Sequence, residues 1–196
     1  APMKSLFITA PGKTEMWEGA RPEPGRGEVR VGVRYLGYCG SDLNTFRGRN
    51  PLVSYPRVPG HELAGAIDAV GPEVSNAFAP GTPVMVVPYT NCGECSACRK
   101  GRPNACRNNQ TLGVQRDGGL AEEVVVPATK LLTSQRLSLR EMVLVEPLSV
   151  GWHAARRGRA GAGDTVVVFG CGMVGLGAIA GAAAAGARVV AVDVAE

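Results

Sequence analysis

Histidine is scarce, aromatics are few, and neither a run of like charge nor a long apolar stretch occurs; each shortage removes a class of function. Only two histidines are present, His61 and His153, so few imidazoles are available for chemistry. No apolar run approaches the roughly 20 charge-free residues that a bilayer-crossing helix takes, and the N-terminus has no signal-peptide pattern. The expectation is a cytoplasmic protein with no membrane partner. A net charge of +4 comes from 21 basic residues scattered among 17 acidic ones, which gives no track for nucleic acid. Arg156, Arg157 and Arg159 do gather, but near a helix end they read as a solvated terminus. Aromatics make up 5%, yet apolar residues reach 45% of the 196, enough for a true core in one large or two small domains. His153, inside a helical stretch, is expected to be a core residue.

Cysteine is what the chain has in a telling pattern. Four of its six cysteines, Cys92, Cys95, Cys98 and Cys106, are spaced C-x2-C-x2-C-x7-C. Thiolates this close in one loop pair poorly with each other, whereas four sulfurs can converge tetrahedrally on Zn²⁺ at about 2.3 Å. The reading is a structural zinc, with a disulfide or an iron-sulfur cluster as alternatives whose spacing fits less well. Gly93 and Gly101 let the loop fold back, and Arg99, Lys100, Arg102 and Arg107 offset the thiolate charge.

Strands are expected at 5–9, 29–36, 62–70, 83–87 and 121–126, separated by Pro/Gly turns. Many short strands suggest an all-β, barrel-like domain. The second strand runs into Gly37-Tyr38-Cys39-Gly40-Ser41-Asp42, where a thiol, a hydroxyl and a carboxylate leave one turn. A lone cysteine at such a place is commonly a small core residue. Tyr55-Pro56-Arg57-Val58-Pro59-Gly60-His61-Glu62 then sets an imidazole beside a carboxylate after a rigid turn, an arrangement that suits a zinc, a general base or a hydrogen-bonded core.

After residue 126 the pattern changes. Helices are expected at 137–145 and 149–157, with Glu146-Pro147 breaking the run between them. Thr165-Val-Val-Val-Phe169 is a continuous apolar run, the mark of a strand buried on both faces. Gly170-Cys171-Gly172-Met173-Val174-Gly175 follows, then an Ala-rich helix at 176–185 and a second buried strand at 188–192 ending in Asp193. Strand, G-x-G-x-x-G, helix, strand and acid in this order are the dinucleotide-binding pattern. The glycines allow close approach of a pyrophosphate to a helix N-terminus, and Asp193 suits ribose hydroxyls and repels a 2′-phosphate, which favours NAD over NADP. Cys171 reads as a space-filling residue.

On these motifs the chain resembles the zinc-dependent medium-chain dehydrogenase/reductase superfamily over nearly its whole length. Cys39-Gly-Ser41-Asp42, Gly60-His61-Glu62 and the four-cysteine loop are each similar to a motif of that family. Val145-Glu146-Pro147-Leu148-Ser149-Val150-Gly151, with Ser54-Tyr55-Pro56-Arg57-Val58 and Leu112-Gly113-Val114 through Asp117-Gly118-Gly119, is similar to its polyol and sugar-acid branch of sorbitol, idonate and galactonate dehydrogenases. The resemblance implies a β-rich GroES-like barrel domain over 1–148, with its structural-zinc lobe at 92–106. An α/β Rossmann domain follows over 149–196, truncated after its second strand.

It further implies that Cys39 and His61 bind a catalytic zinc, with Glu62 a direct or exchangeable ligand and Glu146 in the third-ligand position, directly or through water. Asp42 would orient His61 through the ring nitrogen not on the metal. One thiolate, one neutral imidazole and one carboxylate leave a position open for an alcohol oxygen, whose proton would leave through Ser41 as hydride passes to NAD. Many relatives carry a histidine where this chain has Asn44, and an amide cannot relay a proton. The expectations are a polyol or sugar-acid dehydrogenase that is a homo-oligomer when full-length, and inactivity of the 196 residues alone. A dehydrogenase for a simple alcohol or threonine, and a non-catalytic zinc and nucleotide-binding module, stand as alternatives.

Overall fold

The computed structural model describes residues 2–195, which form two compact units that divide between Val143 and Leu144. In the first unit, strands β1 (Met3–Ala10) and β2 (Lys13–Gly19) make an antiparallel hairpin. The expected strand at 5–9 is therefore longer, and β2 has no counterpart in the sequence reading. Its residues Lys13, Thr14, Glu15 and Glu18 give no apolar alternation, and every residue of it is exposed. What holds β2 is ladder pairing and a stacked contact of Trp17 on Phe7, ring centroids 4.1 Å apart.

Strand β3 (Glu28–Gly37) is followed by helix α1 (Gly40–Phe46), then β4 (Glu62–Val70) and β5 (Pro83–Val86). Next come the short pair β6 (Tyr89–Thr90) and β7 (Gln110–Thr111), with helix α2 (Ser96–Arg99) between them. Strands β8 (Glu123–Pro127) and β9 (Leu131–Leu132) complete a five-stranded antiparallel sheet in the order β8-β3-β4-β5-β9. Alternation along these strands builds the core: Val29, Val31, Leu63, Ile67, Val84, Val86, Val124 and Val126 pack together with Leu112 and Leu131. Burying such aliphatic side chains is worth about 1.5–3 kcal/mol each.

Helix α3 (Leu139–Met142) ends the first unit, capped by a reciprocal pair in which Ser138 and Glu141 each accept the other's backbone N–H. The single helix expected at 137–145 is thus only one turn long. The expected break at Glu146-Pro147 is also corrected, because both lie in the first turn of helix α4 (Val145–Arg157). Proline is tolerated there since the first N–H groups of a helix have no intrahelical acceptor.

The second unit adds β10 (Thr165–Phe169), α5 (Met173–Ala184) and β11 (Arg188–Val192), with the two strands parallel and in register from Thr165↔Arg188 to Phe169↔Val192. Glycines let α4 and α5 touch backbone to backbone: a Cβ on Gly151 would collide with the Val174 carbonyl, and one on Gly177 with the Leu148 carbonyl. Within the described residues α5 covers one face of these two strands. Helix α5 packs on the sheet, with a Val168 methyl close to Gly175, whereas Val167, Phe169, Val190 and Val192 on the other face are exposed, Phe169 by 80%. His153 is also exposed on α4, which corrects its expected core role. No helix among the described residues is long and apolar enough to cross a membrane.

Candidate metal centre and nucleotide loop

The antiparallel register of β3 and β4 does the first work of assembly. It ends in the pair Gly37↔Glu62, so the residue two past the end of β3, Cys39, arrives beside the residue just before β4, His61. Gly37 has a steric reason: a Cβ there would collide with the Glu62 carboxylate. A glycine closing an otherwise alternating strand is the signal that marks such a close approach; the sequence reading missed it.

Asp42 ties the two segments. Its Oδ2 accepts the Cys39 N–H at 3.0 Å, and its Oδ1 accepts the Gly60 N–H at 3.0 Å. At 2% exposure it is among the most buried polar residues of the chain, and both bonds are charge-assisted. The expected contact with the His61 ring takes a different form. Nδ1 lies 3.8 Å from Asp42 Oδ1, longer than a hydrogen bond, so Asp42 holds the backbone around both residues rather than the imidazole itself. Gly60 has φ +96, a left-handed conformation, and its carbonyl accepts the Gly119 N–H while Pro59 and Val58 accept from Leu120 and Gly118. Asp117 Oδ1 accepts the Val58 N–H at 3.0 Å and pairs with Arg57. The Tyr55 hydroxyl reaches the Thr45 carbonyl of α1 at 2.5 Å. The turn before His61 is thereby braced from both sides.

Within this frame Cys39, His61 and Glu62 each offer one ligand atom, and these atoms lie within 4.8 Å of one another. His61 and Glu62 are buried and Cys39 is half-buried. The His61 ring, and then the N–H and hydroxyl of Ser41, hold the Cys39 thiol below its ordinary value against the opposing effect of burial. One sulfur, one imidazole nitrogen and one carboxylate oxygen so grouped match the donor set of a zinc site with a position left over. Ser41 thus stands against Cys39, and Asn44 lies one turn further along α1, exposed. Glu146 belongs to the second unit, buried in the first turn of α4.

The four sulfurs of Cys92, Cys95, Cys98 and Cys106 form the other group within 4.8 Å, and none is in a disulfide. Cys92 and Cys106 sulfurs stand 3.5 Å apart, well beyond the roughly 2.05 Å of an S–S bond. The Cys98 and Arg107 N–H groups push the Cys95 thiol down to about 6. Desolvation and neighbouring thiols push Cys98 up to about 11. Four thiols with backbone donors aimed at them fit a four-cysteine zinc.

In the second unit Gly170, Gly172, Met173, Val174 and Gly175 form the turn from β10 into α5, with Gly172 as the N-cap. The helix therefore begins three residues earlier than expected, inside the motif. Gly175 lies so close to the Gly170 carbonyl that a Cβ has no room. Asp193, just past β11, accepts the Cys171 N–H at 2.5 Å and those of Val194 and Ala195 at 2.7 and 3.1 Å, and these donors hold its carboxyl below the usual range.

Residues 25–136, more than half of the chain, match the alcohol dehydrogenase GroES-like domain. The chain belongs to that family. It is 38% identical over 190 residues to L-galactonate-5-dehydrogenase of Escherichia coli, covering 96% of this chain and 56% of that protein. A crystal structure of an Escherichia coli alcohol dehydrogenase, RspB, complexed with NADH matches with a TM-score of 0.86 at 35% identity, over 100% of this chain and 63% of that one. A cobalt- and zinc-bound thermostable alcohol dehydrogenase from Pyrobaculum aerophilum matches with a TM-score of 0.89 at 31% identity, over 97% and 59%. The chain spans about half the length of the curated relatives it matches.

Proposed function

We propose that this chain carries the metal-binding domain and the beginning of a Rossmann nucleotide-binding domain of a zinc- and NAD-dependent dehydrogenase acting on a secondary alcohol of a polyol or sugar acid. The observation that carries the reading is the grouping of Cys39, His61 and Glu62, brought by separate segments to within 4.8 Å of one another. The names of the relatives support the substrate class, and the NADH and zinc in the matching structures support the cofactors.

In this reading Cys39, His61 and Glu62 hold the catalytic zinc, which supplies a Lewis acid for the substrate oxygen, and NAD supplies the hydride acceptor. Asp42 keeps Cys39 and His61 in position through the backbone. The Ser41 hydroxyl, beside Cys39, would accept the proton released from the substrate alcohol while passing its own proton on. Asn44 ends the relay, since an amide donates and accepts hydrogen bonds but does not exchange protons near neutral pH; water completes the transfer. The Gly170–Gly175 turn offers backbone N–H groups to the pyrophosphate, and Asp193 offers its carboxylate to ribose hydroxyls. Cys92, Cys95, Cys98 and Cys106 hold a second, structural zinc. The test is NADH formation by the full-length protein across polyols and aldonates, with and without a chelator, together with zinc analysis. Chelator-sensitive NADH formation and two zincs per chain are expected. Silence across the whole panel overturns the proposal.

A further inference from the structure

A groove in the first unit runs from α1 to the loop that follows the four-cysteine lobe. It is lined by Ser41, Asn44, Arg49, Asn50, Asn109 and Gln115, with Pro51 and Leu52 at one wall, and no aspartate or glutamate borders it. Ser41, the residue set against Cys39, places one end of the groove at the candidate metal centre. The groove is braced from within. Asn50 donates to the Thr45 hydroxyl at 3.1 Å and accepts the Leu52 N–H at 3.1 Å, and the Gln115 carbonyl oxygen accepts the Thr111 N–H at 2.9 Å. These bonds leave the Gln115 amide NH2 and the Asn44 amide to meet a ligand.

Arg49 is the cation of this groove. It is exposed and enters no ion pair among the described residues. Its backbone N–H is held by the Asn44 carbonyl at 2.8 Å, which anchors the loop to α1 and leaves the guanidinium to be aimed by that loop. An unpaired guanidinium beside amides and hydroxyls, with no competing acid, is suited to a bidentate contact with a carboxylate or phosphate. Amide and hydroxyl groups along the same groove suit a chain of hydroxyls.

We infer that Arg49 recognises an anionic end, carboxylate or phosphate, of a polyhydroxylated substrate whose reacting alcohol lies at the Cys39 end of the groove. This rests on the dehydrogenase reading and selects within it: acidic substrates are preferred over neutral polyols.

The experiment compares the full-length wild-type protein with Arg49→Ala and Arg49→Lys on an aldonate, a sugar-alcohol phosphate and the matching neutral polyol. For Arg49→Ala we expect KM for an anionic substrate to rise about tenfold or more, with kcat, KM for the neutral polyol and KM for NAD unchanged. Arg49→Lys keeps the charge but not the two-pronged geometry and restores part of the loss. Comparing the two anionic arms tells carboxylate from phosphate. Calorimetric titration of the better anion into enzyme without NAD reads the same contact apart from turnover, and Arg49→Ala is expected to weaken that binding by a similar factor. Equal KM changes for charged and neutral substrates, or a raised KM for NAD with every substrate, overturn the inference and reassign Arg49 to the loop or the cofactor. If no substrate yields NADH, the dehydrogenase reading fails instead, and the titration still decides Arg49: weakened binding supports it and unchanged binding overturns it.

Discussion

Asp42 is one carboxylate that serves two backbone N–H groups, those of Cys39 and Gly60, in a place closed to water. An amide has one acceptor oxygen to offer where the carboxylate has two, so Asp42→Asn leaves a buried donor unmade. Urea denaturation of this variant should show a loss of about 1–3 kcal/mol, with zinc lost more readily from the catalytic position; unchanged stability would refute the bracing role. Gly37 acts by what it lacks. In Gly37→Ala the new methyl occupies the space of the Glu62 carboxylate, and metal analysis is expected to fall from two zincs to one, the four-cysteine zinc being retained. The family resemblance named Cys39, His61 and Glu62 as partners, where the residue types alone left a core cysteine and a hydrogen-bonded core histidine open. It could not show that Asp42 bonds to main chain rather than to the His61 ring, since that depends on a few tenths of an ångström.

The strands of the first unit are tied on their polar face by an ion-pair group in which Arg30 of β3 binds Asp68 of β4 at 2.7 and 2.9 Å, and Arg21 joins Asp68 and Glu123 of β8. Arg30 first, and Arg21 after it, hold the Asp68 carboxyl below its ordinary value. A carboxyl whose folded value is depressed adds stability that is complete above its unfolded value of about 3.9 and disappears as pH falls through the folded value. The first unit should therefore lose stability as pH drops below about 4, and Asp68→Asn should flatten that fall in acid titrations followed by circular dichroism. In the second unit the close helix pair depends on Gly151 and Gly177. Gly151→Val forces α4 away from the Val174 carbonyl, and a loss of about 1–3 kcal/mol is expected in denaturation. Alanine richness after the glycine motif identified α5 as a helix, yet the role of its glycines was not legible, because a contact surface between two helices is not written in either one alone.

At the scale of the molecule, two separately packed units share one chain, and the two groups of side chains that could hold a metal both fall in the first. Chelation should therefore increase amide hydrogen exchange around 39, 61 and 92–106 while α5 keeps its protection; a uniform rise across both units would contradict this. Cys98→Ser is the complementary perturbation, expected to remove the lobe zinc and loosen 92–106 alone.

The sequence by itself determined the sheet-rich first unit, the four-cysteine loop and the strand-turn-helix-strand order of the second. In each of these the information is local: strand alternation, cysteine spacing and glycine spacing are properties of short stretches of chain. Tertiary structure alone decided the rest. It showed that β2 exists by pairing rather than by apolar pattern, that Pro147 lies in the first turn of a helix instead of breaking one, and that His153 faces outward. It also placed an unpaired Arg49 over a groove lined with amides. Each of these depends on which distant segments meet, and the free energy of such meetings comes from burial and pairing across the fold, which no short stretch carries.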